Sequence, residues 1–176
     1  MTAEPEWIKA IDRDALRAAG GAKVVKPGGR QILLLETEEG LFAINNRCPH
    51  EGYPLSEGTL GCGVLTCNWH NWKFDLKTGR ALDGGDPVRT WPLEERGGEI
   101  WIDVSDPPAE ERRARALANF AAAFEDYDYT RLARELARLE KAGGRAEDAL
   151  GEAVRHHFDR FEYGMTHAFA AAPDWL

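Results

Sequence analysis

Cys48-Pro49-His50-Glu51-Gly52-Tyr53 and, further on, Cys67-Asn68-Trp69-His70 decide how this chain is to be read. Sixteen residues separate His50 from Cys67. The two segments together offer two thiolates and two imidazoles. Those donors suit zinc and iron–sulfur centres, whereas calcium and magnesium take oxygen. Two Cys and two His can close a structural zinc site. They can also divide over a two-iron cluster, sulfur on one iron and nitrogen on the other. Spacing alone leaves both open.

The flanking sequence tells more. Ahead of the first segment, Trp7 and Ile8 read as strand, and Asp12 and Asp14 suit the start of a helical turn that stops at Gly20-Gly21. Lys23-Val24-Val25 is a short strand, and Pro27-Gly28-Gly29 a turn. Gln31–Glu36 carries four consecutive apolar residues, Ile32 to Leu35, and Leu41–Asn45 returns as its hairpin partner. Thr59-Leu60 and Val64–Thr66 flank a Gly61-Cys62-Gly63 turn and lead into the second segment. Lys73–Leu76 enters a hairpin at Lys77-Thr78-Gly79, Asp83–Pro87 is a loop, and Val88–Leu93 and Glu99–Val104 are the last two strands. Short strands punctuated by regular turns predict a small antiparallel β barrel or sandwich over residues 1–106. A zinc finger needs a compact hairpin and helix, so two similar loops on a β scaffold favour the iron–sulfur reading.

Composition changes at Ser105-Asp106-Pro107-Pro108. Downstream, Ala, Arg, Glu and Leu dominate, a vocabulary of helices. Apolar residues recur at helical spacing in Leu117–Phe124, in Leu132, Leu136 and Leu139, and from Leu150 to Phe169. Residues 107–176 are therefore expected to form about three helices, an α-helical extension that makes the whole chain α+β. Glu152, His156, Asp159, Tyr163 and His167 share one face of the last helix, opposite its apolar face, and read as solvated. His157 lies nearer the apolar face and reads as a core histidine. The Glu-x-x-His pairs of di-iron bundles are absent from the sequence.

The chain has 176 residues and a net charge of −8. Residues 1–106 hold 12 basic and 17 acidic side chains, and the remainder 10 and 13. Both parts are acidic, which argues against a nucleic-acid partner and suits docking to a basic one. Of three cysteines two belong to the motif, which leaves Cys62 as a bystander and excludes a disulfide framework. Met1–Ile8 lacks the charged start and apolar run of a signal peptide, and no window approaches a membrane span, so the expected location is cytoplasmic with no membrane partner.

The motif carries a family resemblance. Cys48-Pro49-His50-Glu51-Gly52, Leu55-Ser56-Glu57-Gly58, Val64-Leu65-Thr66-Cys67, Trp69-His70-Asn71-Trp72-Lys73-Phe74-Asp75 and Lys77-Thr78-Gly79-Arg80-Ala81 resemble Rieske ferredoxins, from about Trp7 to Asp106. The resemblance implies one [2Fe–2S] cluster per chain, with Cys48 and Cys67 on one iron and His50 and His70 on the other. It also implies that Gly84-Gly85-Asp86-Pro87 covers the cluster. Two thiolates leave the oxidised centre formally neutral, where four would leave it dianionic, so imidazole ligation eases addition of an electron. The departures matter as well. Respiratory members bridge their ligand loops with a disulfide, where this chain has Tyr53 and Trp69. They place hydroxyls against the sulfurs, where this chain has Trp72 and Phe74. Without those donors the expected potential lies near the bottom of the family range, about −150 mV. Trp69, Trp72 and Tyr53 are expected to shield the cluster.

The function expected from this resemblance is that of a low-potential, oxygenase-type ferredoxin: a one-electron carrier, with no catalytic residues of its own. Its partners would be a flavin reductase as donor and an oxygenase or related enzyme as acceptor. Two alternatives stand beside it. The chain could be the Rieske part of a larger oxygenase with a catalytic non-haem iron, which needs a 2-His-1-carboxylate site in a substrate domain. It could also be a structural zinc or interaction module.

Overall fold

A computed structural model describes residues 4–83 and 85–157. The described residues divide after Asp106 into two compact units. The first is built from three antiparallel sheets of three strands each. Strands β1 (Trp7–Asp12), β9 (Glu99–Asp103) and β8 (Leu93–Arg96) form one. Strands β2 (Ala22–Val25), β3 (Ile32–Thr37) and β4 (Gly40–Asn45) form the second. Strands β5 (Thr59–Gly61), β6 (Val64–Thr66) and β7 (Lys73–Asp75) form the third. Helix α1 (Arg13–Ala18) follows β1 directly.

The four-residue apolar run of β3 explains the layering. Successive side chains on a strand point to opposite faces. Leu33 and Leu35, with Ile44 of β4, enter a core shared with Cys48, Leu55, Leu65, Cys67, Phe74 and Leu76. Ile32 and Leu34, with Ala43, enter a second core with Leu16, Trp91, Ile100 and Ile102. The central sheet is thus buried on both faces, which is why its middle strand shows no polar alternation. One core lies under the ligand loops and the other under the β1-β9-β8 sheet.

The segment Val88–Leu93 is not the strand its sequence suggests. Only Leu93 joins β8. Residues before it run beside β4 through one bridge, Ile44 to Thr90, and two hydrogen bonds: Asn45 N–H donates to the Arg89 carbonyl (2.8 Å) and Trp91 N–H to that of Ala43 (2.8 Å). Pro87 and Pro92 bracket the segment and lack the donors a continuous ladder needs. Arg30 and Arg89 lie over the Trp91 ring at 5.0 and 3.5 Å, and Asp106 accepts hydrogen bonds from both.

The second unit contains α2 (Ala109–Glu125), α3 (Tyr129–Lys141) and α4 (Ala146–His157). Asp128 caps α3 by accepting the Arg131 N–H at 2.9 Å. Ala116, Phe120, Leu139, Ala149 and Ala153 form the core, and Phe120 meets Phe124 edge to face at 4.9 Å. On α3 the inner face carries Arg131, Glu135 and Leu139, while Leu136 is exposed, contrary to the apolar periodicity. Glu135 tolerates burial because Arg138 donates to it from the next turn. His156 does not face solvent freely: its Nε2 lies 2.6 Å from Glu125 Oε1. Asp159, Tyr163, His167 and the remainder of the expected last helix lie outside the described residues, as does the His157 side chain. No helix among the described residues is long and apolar enough to cross a membrane.

Candidate metal centre

The two ligand segments fold into loops of the same design. Cys48 N–H donates to the Tyr53 carbonyl (2.9 Å) and Gly52 N–H to that of Cys48 (2.8 Å). Cys67 N–H donates to the Trp72 carbonyl (2.8 Å) and Asn71 N–H to that of Cys67 (2.9 Å). The fourth residue after each cysteine has a left-handed backbone, with φ of 79° at Gly52 and 59° at Asn71. Glycine adopts that conformation freely, and asparagine tolerates it better than most residues. At Gly52 a Cβ would lie 2.7 Å from Arg47 Nε, so a side chain there would displace the arginine.

Polar side chains that the motif reading passed over tie the loops together. Buried Asn46 accepts the Ser56 N–H on Oδ1 at 2.8 Å. Asn68 donates to the Glu57 carbonyl at 2.7 Å and accepts from the Thr59 hydroxyl at 2.9 Å, joining the second loop to the first. Asparagines next to loop cysteines carry the signal that could have found them, because their amides commonly bond nearby backbone.

The expected ligands pair by type on the two loops, Cys48 with Cys67 and His50 with His70. Cys48 and Cys67 are 3% and 1% exposed and share one core, close enough for each thiol to affect the other's titration. Burial pushes the Cys48 thiol up to about 11, while the backbone amides of His50 and Glu51 pull it down and the Cys67 thiol raises it. An apo thiol of that kind is protonated at neutral pH, so binding a metal there releases protons. The imidazoles face one another, with His50 Nδ1 3.1 Å from His70 Nδ1 and the ring planes at 82°. The His70 side chain is 39% exposed. One side of the centre is therefore buried sulfur and the other is accessible nitrogen. This donor set fits a two-iron cluster with unequal irons.

Aromatic rings hold the imidazoles in place. Trp72 stacks on His50 (4.8 Å, 14°) and Trp69 on His70 (5.5 Å, 19°). Tyr53 meets Trp69 edge to face at 5.3 Å, so these two residues do touch across the loops. Trp72 and Tyr53 pack against the underlying core, whereas Trp69 is 56% exposed and covers the centre only on one side. Phe74 is fully buried in the core that holds both cysteines. Gly85 lies against Trp72: a Cβ there would sit 2.3 Å from the indole Cη2. Asp86 is buried beside it, and Gly84 of the same loop lies outside the described residues. Cys62 is exposed in the β5–β6 turn. Sequence reading also missed Glu51, whose Oε2 lies 3.9 Å from His70 Nδ1.

Known proteins share the sequence and fold of the strand-rich unit. The Rieske [2Fe-2S] domain model matches residues 6–92. The ferredoxin component of the p-cumate 2,3-dioxygenase system of Pseudomonas putida is 34% identical over 89 residues, covering 49% of this chain and 75% of the ferredoxin. The 4beta-methylsterol monooxygenase of Methylococcus capsulatus is 36% identical over 97 residues, which are 48% of this chain. The chain spans only 26% of that monooxygenase. Among solved structures, the ferredoxin of carbazole 1,9a-dioxygenase from Nocardioides aromaticivorans shares the fold, with a TM-score of 0.51 and 24% identity over 56% of this chain and 98% of that one.

Proposed function

This chain belongs to the Rieske [2Fe-2S] family, and from that premise we propose that it carries single electrons to an oxygenase or a related redox enzyme. A Rieske domain binds one [2Fe–2S] cluster, which supplies a reversible one-electron couple. The observation that carries the proposal is the asymmetry of the site: both thiols are buried, and the facing imidazoles reach solvent. Cys48 and Cys67 would hold the inner iron, and His50 and His70 the outer one. The His50 and Glu51 backbone lowers the pKa of the Cys48 thiol, which favours it as a thiolate ligand. Trp72 and Trp69 fix the planes of the two imidazoles, whose outer ring nitrogens stay available to a partner surface. The redox role belongs to residues 1–106, and helices α2, α3 and α4, which end at His157, belong to a separate unit. The donor is a flavin reductase, and the setting is the cytoplasm.

A second reading is favoured by the match to part of a monooxygenase: the same domain would then feed a non-haem iron held elsewhere in its own polypeptide. Reduction by a flavin-dependent ferredoxin reductase with NADH, followed by reoxidation with a Rieske oxygenase, tests the carrier. Bleaching on reduction and substrate-dependent return of colour support it. A protein that takes up no electron refutes it.

A further inference from the structure

The loop tip holds one charge that ligation does not use. His50, Glu51 and His70 each present a donor atom within 4.8 Å of the others. The Glu51 carboxylate stands 3.9 Å from His70 Nδ1. Among the described residues no lysine or arginine forms an ion pair with Glu51. Lys73 is paired with Asp83 at 3.2 Å, and the Arg47 guanidinium lies against Gly52, the residue after Glu51, without an ion pair to that carboxylate. The Glu51 backbone also lies close enough to the Cys48 sulfur to lower the pKa of its thiol. The carboxylate of this residue therefore faces the nitrogen side of the centre.

We propose that Glu51 is a positioning residue for electron transfer, whose anionic side chain beside the histidine pair lowers the reduction potential of this centre. The proposal rests on the carrier reading above. Reduction brings one electron, delivered by the donor protein, onto the centre, and no bond is made or broken. A fixed negative charge beside the site opposes that arriving charge and leaves the electron easier to pass on. It acts together with the missing hydroxyl donors at Trp72 and Phe74, in the same direction. Glu51 is 54% exposed, so solvent screens it and the effect lies toward the weak end of Coulomb interactions at this separation. Its loss should raise the reduction equilibrium about tenfold, which for a one-electron couple is about 59 mV.

The test is redox titration of the purified holoprotein, followed by its visible spectrum, for wild type, Glu51→Gln, Glu51→Ala and Glu51→Asp. Glu57→Gln serves as an equal change of charge on the same loop. The expected result is a raised potential in the glutamine and alanine variants, a near-wild-type value in the aspartate variant, and a much smaller shift in Glu57→Gln. The shift in Glu51→Gln should shrink at high salt. Equal shifts in Glu51→Gln and Glu57→Gln, or none in either, would overturn the proposal while leaving the carrier intact. Loss of the cluster from every uncharged variant at position 51 would overturn it too, since a group that only tunes the potential is dispensable for retention. A wild-type protein that binds no cluster removes the carrier reading itself, and this inference with it.

Discussion

Gly85→Ala isolates the contact between the third loop and the ligand histidines. Gly85 has φ of 89°, where a Cβ is strained, at a cost of about 1–2 kcal/mol. The new methyl would also lie 2.3 Å from Cη2 and 2.7 Å from Cζ3 of Trp72. Real side chains do not approach that closely, so either the loop lifts or the indole moves. Overpacking of this kind costs typically about 1–3 kcal/mol. The sum, about 2–5 kcal/mol, falls on Trp72, which stacks on His50 and packs against the core that holds both cysteines. Two assays separate the outcomes. Denaturant unfolding of the holoprotein should show a lower midpoint with an unchanged slope. Loss of visible absorbance in the presence of an iron chelator should be at least tenfold faster than in wild type. Wild-type values in both assays would refute the claim that Gly85 braces Trp72 and, through it, His50.

Other outcomes follow from the same geometry. Phe74→Tyr places a hydroxyl in the core beside the cysteines; a hydrogen bond to a charged sulfur is worth about 1.5–3 kcal/mol. Part of that difference between redox states should raise the potential by tens of millivolts, measured by redox titration, and a lower or unchanged value contradicts the hydroxyl argument. Asn71→Val puts a β-branched residue at φ 59° and should cost about 1–2 kcal/mol in denaturant unfolding, while Asn71→Gly is tolerated. Acid should destabilise the protein. Arg89 and Arg30 hold the Asp106 carboxyl below the usual range, and Thr78 does the same for Asp75 through its hydroxyl and amide. Groups with depressed folded values stabilise above their unfolded pKa of about 4, and that contribution is lost as pH falls through the folded value. Arg89→Gln should therefore flatten the decline of thermal midpoint between about pH 5 and 2, whereas an unaltered pH profile argues against the Asp106 pairing.

The strand-rich unit is legible because its signals are local. The Leu41–Asn45 return after Glu38-Glu39-Gly40 and the Gly61-Cys62-Gly63 turn each lie between residues that pair directly. The four-residue apolar run announces burial on both faces, and the structure gives it two cores. The Val88–Leu93 segment misleads because its alternation is real but its prolines deny it a ladder, a matter of tertiary hydrogen bonding. On α3 the apolar spacing points to Leu136, whereas the packed helices bury Glu135. Pairing with Arg138 makes that possible, and no hydrophobic period registers it. The four Cys and His stand out by type and spacing. Glu51, Asn46 and Asn68 do not, since a loop acid or amide is ordinary until its distance to a histidine or a carbonyl is known.

Iron, acid-labile sulfide and zinc in the anaerobically purified protein, with pulsed electron paramagnetic resonance of its reduced form, address the central claim most directly. The account predicts two irons and two sulfides per chain, no stoichiometric zinc, and coupling of the unpaired electron to two imidazole nitrogens that vanishes in stages as His50 and His70 are replaced. A colourless protein holding one zinc, or a cluster whose spectrum shows no nitrogen coupling, would contradict it.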